Sequence, residues 1–471
     1  MKALFKIIAS IFVSFMLGIS IASADNQTAD LSPITPGSVL PFQVQIQQAN
    51  FELPVGIHSG VMGTYKGQWI FIAGRINGMH GFGGDPFPPD EQNTSIYVVN
   101  PTTGVTISRS LYDPSSGLNQ QQIDSLSVTS PQGYQESNTL YMTGGYGIDT
   151  ATATFGTKSL LTALYLPGIV DWVAHKKGQS VVKNMRQLSN PLFQVTGGDM
   201  FNVGGVTQLI FGQNFDGVYT PSGNGNYTEQ VRQFKIKNNG AQLAVDILPT
   251  KPLLPDPNFR RRDLNIVPTL LQRNNQLQYG LIAYAGVFTL TQGVWTVPVV
   301  IDQSGNPSMA DPNAPTTFKQ GMNQYVTATA SLYSKSSMNM YHIFFGGISY
   351  GFFTNGVFQT DSEIPFINQV TTVQMDKNGN FTQYLMANQY PTILSTRSNP
   401  GNTLLFGAGA YFIVNRISQY NNTVINLDNI RQPTVIGYIA GGIQSTVPNT
   451  NVITDSSASP YVFTVTLVPR K

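Results

Sequence analysis

Apolar residues along this chain come in short unbroken runs, and six of the runs end alike. Trp69–Gly74 reads WIFIAG, Leu140–Gly145 LYMTGG, Gln208–Gln213 QLIFGQ, Leu281–Gly286 LIAYAG, Ile343–Gly347 IFFGG and Tyr438–Gly442 YIAGG. Each run is continuous, not alternating, so each predicts a strand buried on both faces. The glycines that follow let the backbone pass close to a neighbour. Aligned on Gly74, Gly144, Gly212, Ala285, Gly346 and Gly441, the runs recur at intervals of 61 to 95 residues.

A second strand recurs downstream of each run. It reads SIYVVNPTTG from Ser95, LLTALYLPG from Leu160, QVRQFKIKNNG from Gln230, VWTVPVVIDQSG from Val294, QVTTVQMDKNG from Gln369 and YVFTVTLVP from Tyr461. The Asn or Asp followed by Gly predicts tight hairpin turns, with Gly supplying a positive φ. Outer strands follow at Val105, Gln179, Gln242 and Phe381. Each unit thus predicts an inner strand, a glycine-terminated strand, a long loop, a third strand, a tight turn and an outer strand. The last unit lacks its outer strand, and FQVQIQQANFEL at Phe42–Leu53 is left over to supply it. Closure of that kind leaves no free sheet edge.

On these glycine-terminated runs, above all Leu140–Gly147, Met340–Gly347 and Gly437–Gly442, the chain resembles the kelch-repeat propellers. The resemblance implies an all-β fold, a six-bladed kelch-like β-propeller over residues 42–471 with the N-terminal strand closing the last blade. It departs from the pattern in holding only three tryptophans, Trp69, Trp172 and Trp295, and in Gly212-Gln213 and Ala285-Gly286 where a glycine pair is expected. An outer-membrane barrel is the competing all-β fold, but its strands alternate, and WIFIAG, YHIFFGG and TQLIFG do not. The copper-radical chemistry of some kelch enzymes needs a cysteine-linked tyrosine, and the chain has no cysteine.

Composition suits an exported β protein better than a cytosolic one. Charged residues are 11% of the chain, against about 25% in ordinary globular proteins. Lys2 and Lys6, then an apolar stretch from Ile7 to Ile21, then Ala22-Ser23-Ala24, predict a secretory signal peptide over 1–24. A linker over 25–41 would follow, and no transmembrane segment remains after cleavage. The expected location is the periplasm or the exterior of a bacterium. Lys2 and Lys6 carry the whole formal charge of +2, so no nucleic-acid partner is expected. The absence of cysteine excludes disulfides, thiolate metal sites and cysteine nucleophiles.

Candidate chemistry lies where long loops and inner-strand starts meet. Loops at Ile76–Asn93, Ser349–Phe366 and Gln444–Pro460 are predicted to crowd one face, suited to a glycan or protein partner. The inner strands are expected to open with His58-Ser59, Asp124-Ser125, Asp199-Met200 and the run Arg260-Arg261-Arg262-Asp263. His58, Arg75, Asp124, Asp199, Arg261 and Asp263 are the candidate ligand-binding residues around a central channel. In an extended chain Arg261 and Asp263 share one side and Arg262 takes the other. No resident cofactor is expected; calcium is the cation that converging carboxylates can hold. The four histidines, His58, His80, His175 and His342, are not at ligand spacing, and neither a G-x-S-x-G elbow nor a P-loop occurs. Phe82, Phe87, Tyr146, Tyr219, Tyr350, Phe352 and Phe353 fall in or beside the loops, as sugar stacking requires.

The leading expectation is an exported binding or interaction protein that uses the long-loop face. The alternative is a carbohydrate-active enzyme of sugar-mutarotase type, acting through Arg261, Asp263, Asp199 and His58 by acid–base groups alone. A third is an envelope assembly protein.

Overall fold

In the computed structural model the described residues are 31–81, 86–220, 225–273, 276–291, 293–420, 423–450 and 452–470. The expected signal peptide and the first part of the expected linker lie outside them.

The runs form what their burial demands. Six antiparallel four-strand meanders follow one another, five of them in chain order and the sixth completed by a strand from the N-terminal side; the fifth is extended at its two edges by the short parallel strands Ile34–Pro36 and Ile425–Asn426. Sheet I holds Val61–Tyr65, Gln68–Ile72, Ser95–Val99 and Thr106–Ser110. Sheet II holds Gln132–Glu136, Thr139–Thr143, Leu160–Tyr165 and Met185–Ser189. Sheet III holds Asp199–Val203, Val206–Ile210, Val231–Asn238 and Leu243–Lys251. Sheet IV holds Asn265–Arg273, Gln276–Tyr284, Val299–Ile301 and Pro307–Met309. Sheet V holds Ala328–Ser334, Asn339–Ile348, Phe366–Met375 and Phe381–Leu385. Sheet VI holds Tyr411–Val414, Thr434–Ala440 and Tyr461–Pro469, and its fourth strand is Phe42–Glu52, paired antiparallel from Phe42↔Pro469 onward. The all-β expectation holds.

The second strands are buried on both faces because each sheet is packed between two others. Ile70, Ile72 and Val98 of sheet I share a core with Leu140, Met142 and Leu164 of sheet II. Met200 and Leu209 of sheet III meet Tyr141 and Leu161 of sheet II. Ile210 and Phe211 meet Ile266 and Leu281 of sheet IV. Ile282 and Tyr284 meet Phe344 and Val373 of sheet V. Phe345 and Val370 meet Ile436 and Phe463 of sheet VI. Ile413 and Val462 of sheet VI then meet Trp69 and Phe71 of sheet I. The succession of cores returns to its start.

Some local expectations change. The LPG after Leu164-Tyr165 opens a helix, Leu166–Val173, with proline in its first turn, not a tight hairpin. Gln120–Leu126 is also a helix, capped by Asn119, so Asp124-Ser125 does not start an inner strand. The expected linker contains a strand, Ile34–Pro36, that pairs in parallel with the outer strand of sheet V. The predicted turns form as expected, with Gly104, Gly240, Gly305 and Gly379 all at positive φ. No helix among the described residues is long and apolar enough to cross a membrane.

Candidate functional site

Each sheet presents the same backbone device to the others. The residue before each inner strand's leading turn bridges to the residue just past the glycine-terminated strand. These bridges are His58↔Arg75, Thr129↔Tyr146, Thr196↔Gln213, Arg262↔Val287 and Tyr325↔Ile348, with Ala408↔Ile443 in the sixth place. After the first partner of each comes a left-handed residue: Ser59, Ser130, Gly197, Asp263, Val326 and Gly409, at φ 48° to 67°. Before the second partner come two left-handed residues in succession: Ala73-Gly74, Gly144-Gly145, Phe211-Gly212, Ala285-Gly286, Gly346-Gly347 and Gly441-Gly442. The double glycine is therefore a double left-handed turn, and only its second position is glycine throughout.

The single left-handed residues form a ring by handing backbone hydrogen bonds from sheet to sheet. Ser130 N donates to Ser59 O (2.8 Å), Gly197 N to Ser130 O (3.2 Å) and Asp263 N to Gly197 O (2.7 Å). Gly409 N donates to Val326 O (2.6 Å) and Ser59 N to Gly409 O (3.3 Å). Five of these residues, Ser59, Ser130, Gly197, Asp263 and Val326, line two cavities at once. The ring is thus a floor one residue thick. Above it, on the side of the long loops, lies a cavity of about 410 Å³. Below it lies a second of about 220 Å³, bounded by inner-strand starts.

The upper cavity has a polar wall and an apolar one. Arg262 and Asp263 stand together, Nε to carboxylate 3.8 Å. Arg262 Nε also donates to the Tyr227 hydroxyl (3.1 Å) and Nη2 to the Tyr219 hydroxyl (3.0 Å). Its guanidinium lies 5.3 Å from the Tyr219 ring and 5.4 Å from Phe288. Burial opposes its charge, but Asp263 and the two tyrosine hydroxyls outweigh burial and hold the proton more tightly than usual. Tyr219 joins His80 (4.9 Å), Phe87 (5.2 Å) and Phe215 (5.3 Å) in an aromatic cluster at the cavity wall. Ile348, Ile364, Ala408 and Ile443 supply an apolar part of the lining, and Tyr325 stands near the Arg262–Asp263 pair.

His58 and His80 are both held below the usual imidazole range. Burial, then Arg75 beside it, brings the pKa of His58 down to about 3. Its Nε2 faces the Asn77 carbonyl at 3.1 Å and must donate there, leaving Nδ1 to accept from the Ser59 hydroxyl at 3.0 Å. Burial likewise lowers His80, whose Nδ1 donates to the Gly81 carbonyl at 3.0 Å.

The six sequence candidates separate. His58, Arg75 and Asp263 line the upper cavity. Arg75 is buried and its donors turn to the loop: Nε to Asn77 Oδ1 (2.9 Å) and Nη2 to the Pro88 carbonyl (2.9 Å), with Phe87 stacked on the guanidinium. It fixes the first long loop. Asp199 lies below the floor, in the second cavity with Asp263. Asp124 borders neither cavity; its carboxylate accepts from Gln120 Nε2, Thr150 N and Thr150 Oγ1 and holds a surface turn. Arg261 is fully buried beneath Trp295 (4.5 Å) and donates to the carbonyls of Ala285 and Val297. The three carboxylates therefore do not converge. Among the described residues, no group of three or more His, Asp or Glu surrounds a point where a metal ion could sit. Phe82 lies outside the described residues; Phe87, Tyr146 and Tyr219 line the upper cavity, while Tyr350, Phe352 and Phe353 do not.

Arg262 was missed because alternation fails there. Asp263 is left-handed (φ 50°), and this turns both it and Arg262 toward the cavity, where an extended chain would part them. A signal existed for the true ring positions. Ser59, Ser130 and Gly197 each precede Gly74, Gly145 and Gly212 by 15 residues. Longer inner hairpins break that spacing in sheets IV to VI.

No protein-family model matches the chain, and no curated protein matches it. Among solved structures it is similar to YjhT, at 11% identity and a TM-score of 0.44, over 88% of this chain and 98% of that one.

Proposed function

We propose that the chain is an exported six-bladed propeller of kelch-like pattern whose axial cavity binds a small hydroxylated molecule of monosaccharide size. One observation carries this reading. Linkers from all six sheets converge on a single cavity of about 410 Å³ in which a charged Arg262–Asp263 pair stands beside aromatic rings. The volume falls in the range of small-molecule sites, roughly 300–1,000 Å³. Aromatic rings take the apolar face of a sugar, and the ion pair reads its hydroxyls. The carbohydrate-active alternative is weaker. Of its four residues, Arg261 is turned away from the axis and Asp199 stands below the floor, so they do not face one bound molecule. A protein partner on the loops at Ile76–Asn93 and Ser349–Phe366 remains a separate use of the same face. Export rests on the pattern of residues 1–24.

The test is a thermal-shift and calorimetric screen of the chain from Asp25 against monosaccharides and calcium. A ligand at 100 times its Kd adds about 2.7 kcal/mol of stability. The expected result is a rise in Tm with a sugar that Arg262→Met abolishes. A screen in which no sugar shifts the midpoint, or in which Arg262→Met leaves the shift intact, sinks the reading. Calcium alone raising the midpoint would likewise count against a sugar site. Mass spectrometry of the expressed protein for an N-terminus at Asp25 tests export.

A further inference from the structure

The ring that floors the cavity is closed at five joints and open at one. Among the described residues, the sixth link, from Val326 N to Asp263 O, is not made. The reason lies one step further along both chains. The Asn265 side chain spans sheets IV and V there: its Nδ2 donates to the Gln324 carbonyl, and its Oδ1 accepts from Thr327 N at 2.9 Å. Asn265 takes over the bond between sheets, and the backbone joint above it stays apart.

An amide and a carbonyl are left without their partners in the very place where the other sheets pair theirs. Both residues are half-buried at the cavity wall, so these two groups are available to something in the cavity. Both residues line the upper cavity and the lower one. Val326 is also held at φ 48°, a strained conformation for a β-branched side chain, of the kind that gathers at working sites. Arg262 stands next to the joint, and so does the carboxylate of Asp263.

We infer that the open joint between Asp263 and Val326 is the polar subsite of the axial cavity, where one hydroxyl of the ligand bridges the two backbones. The hydroxyl accepts from Val326 N–H and donates to the Asp263 carbonyl. The joint offers one donor beside one acceptor, which a hydroxyl satisfies at both ends. A carboxylate does not: it could accept from Val326 and Arg262 but would face the carbonyl and the carboxylate of Asp263. The site therefore selects neutral hydroxylated molecules over their acidic counterparts. This inference rests on the axial-ligand reading and adds which group is read, and by what.

Two experiments on the full chain from Asp25 test it separately from that reading. The first needs no ligand. Hydrogen exchange followed by NMR should show the Val326 amide exchanging at least about a hundredfold faster than the ring amides of Ser130, Gly197, Asp263 and Gly409. Equal protection at Val326 means a closed joint and overturns the inference, whatever binds above it. The second uses glucose, galactose and mannose against glucuronate and galacturonate in calorimetry. The neutral sugar should bind better, slow exchange at Val326, and lose about tenfold in affinity when Val326 is replaced by its α-hydroxy acid, which lacks the N–H. Asp263→Asn should improve uronate binding relative to hexose binding by about tenfold. A uronate preferred by the unaltered protein, or hexose binding that leaves Val326 exchange unchanged, overturns the inference while upholding a ligand in the cavity. Fast exchange at Val326 with no sugar bound overturns both.

Discussion

The Tyr284 hydroxyl lies 3.0 Å from Nδ1 of His342, across the join between sheets IV and V, and both side chains are fully buried. Tyr284 also packs edge-on against Phe344 at 5.2 Å, so the pair sits inside an otherwise apolar core. A neutral imidazole suits that place and an imidazolium does not.

Acid should therefore unfold the protein partly through its histidines. Burial brings His342 down to about 3, as burial and Arg75 do for His58. Unfolded, each binds a proton near pH 6.5. Between those values the unfolded state holds more protons, so stability falls as pH falls, by up to about 1.4 kcal/mol per pH unit for each group. Denaturation midpoints measured from pH 7.5 to 4 check this. His342→Phe should flatten the slope even where it lowers the midpoint; an unchanged slope would mean that His342 is protonated in the fold.

Asp199 works in the opposite sense. Burial raises its carboxyl to about 7, opposed only by the Met200 amide. Its contribution to stability is present below the ordinary carboxylate pKa and is lost as pH rises through 7. Asp199→Asn should accordingly raise Tm more at pH 8 than at pH 5. Equal shifts at both values would show that water in the lower cavity solvates the carboxylate fully.

The left-handed glycines should tolerate alanine very unequally. A Cβ on Gly144 would overlap the Val195 carbonyl of the next sheet, whereas one on Gly240 meets nothing within 4 Å. Both residues have positive φ. Conformation alone costs Gly240→Ala about 1 kcal/mol. Gly144→Ala should cost about 3 kcal/mol or more, because the backbones of sheets II and III must part. Urea titration of the two variants separates the terms.

The strand from the N-terminus should matter out of proportion to its length. Phe42 is completely buried and meets Tyr341 edge-on at 5.3 Å, tying sheet VI to sheet V. Phe42→Ala should cost about 3–5 kcal/mol. Removing residues through Glu52 exposes the Tyr461–Pro469 edge, and size-exclusion chromatography should then report association.

The sequence carried most of the sheet plan. Continuous apolar runs meant strands buried on both faces, and the strand left over at Phe42 found the one edge that lacked a partner. Both signals are local and survive without an alignment. The helices at Gln120–Leu126 and Leu166–Val173 were not read, because a seven- or eight-residue insertion leaves little periodicity.

The site was legible only in part. His58, Arg75 and Asp263 reach the cavity because they flank the repeated bridges. Asp124 and Arg261 carry the same chemistry but are spent on Thr150 and on carbonyls of sheet IV. A residue's charge is written in the chain; its direction depends on the sign of a neighbour's φ.

By itself, then, the sequence determined which segments must be buried and where glycine closes the tight hairpin turns, since those follow from residue type over a few positions. Only the tertiary structure decided that Arg262 faces the axis and that Asp199 lies below the floor. It alone left Val326 and Asp263 unjoined. Each of these depends on which sheet stands next to which, and on an asparagine side chain that reaches 62 residues along the chain to Thr327.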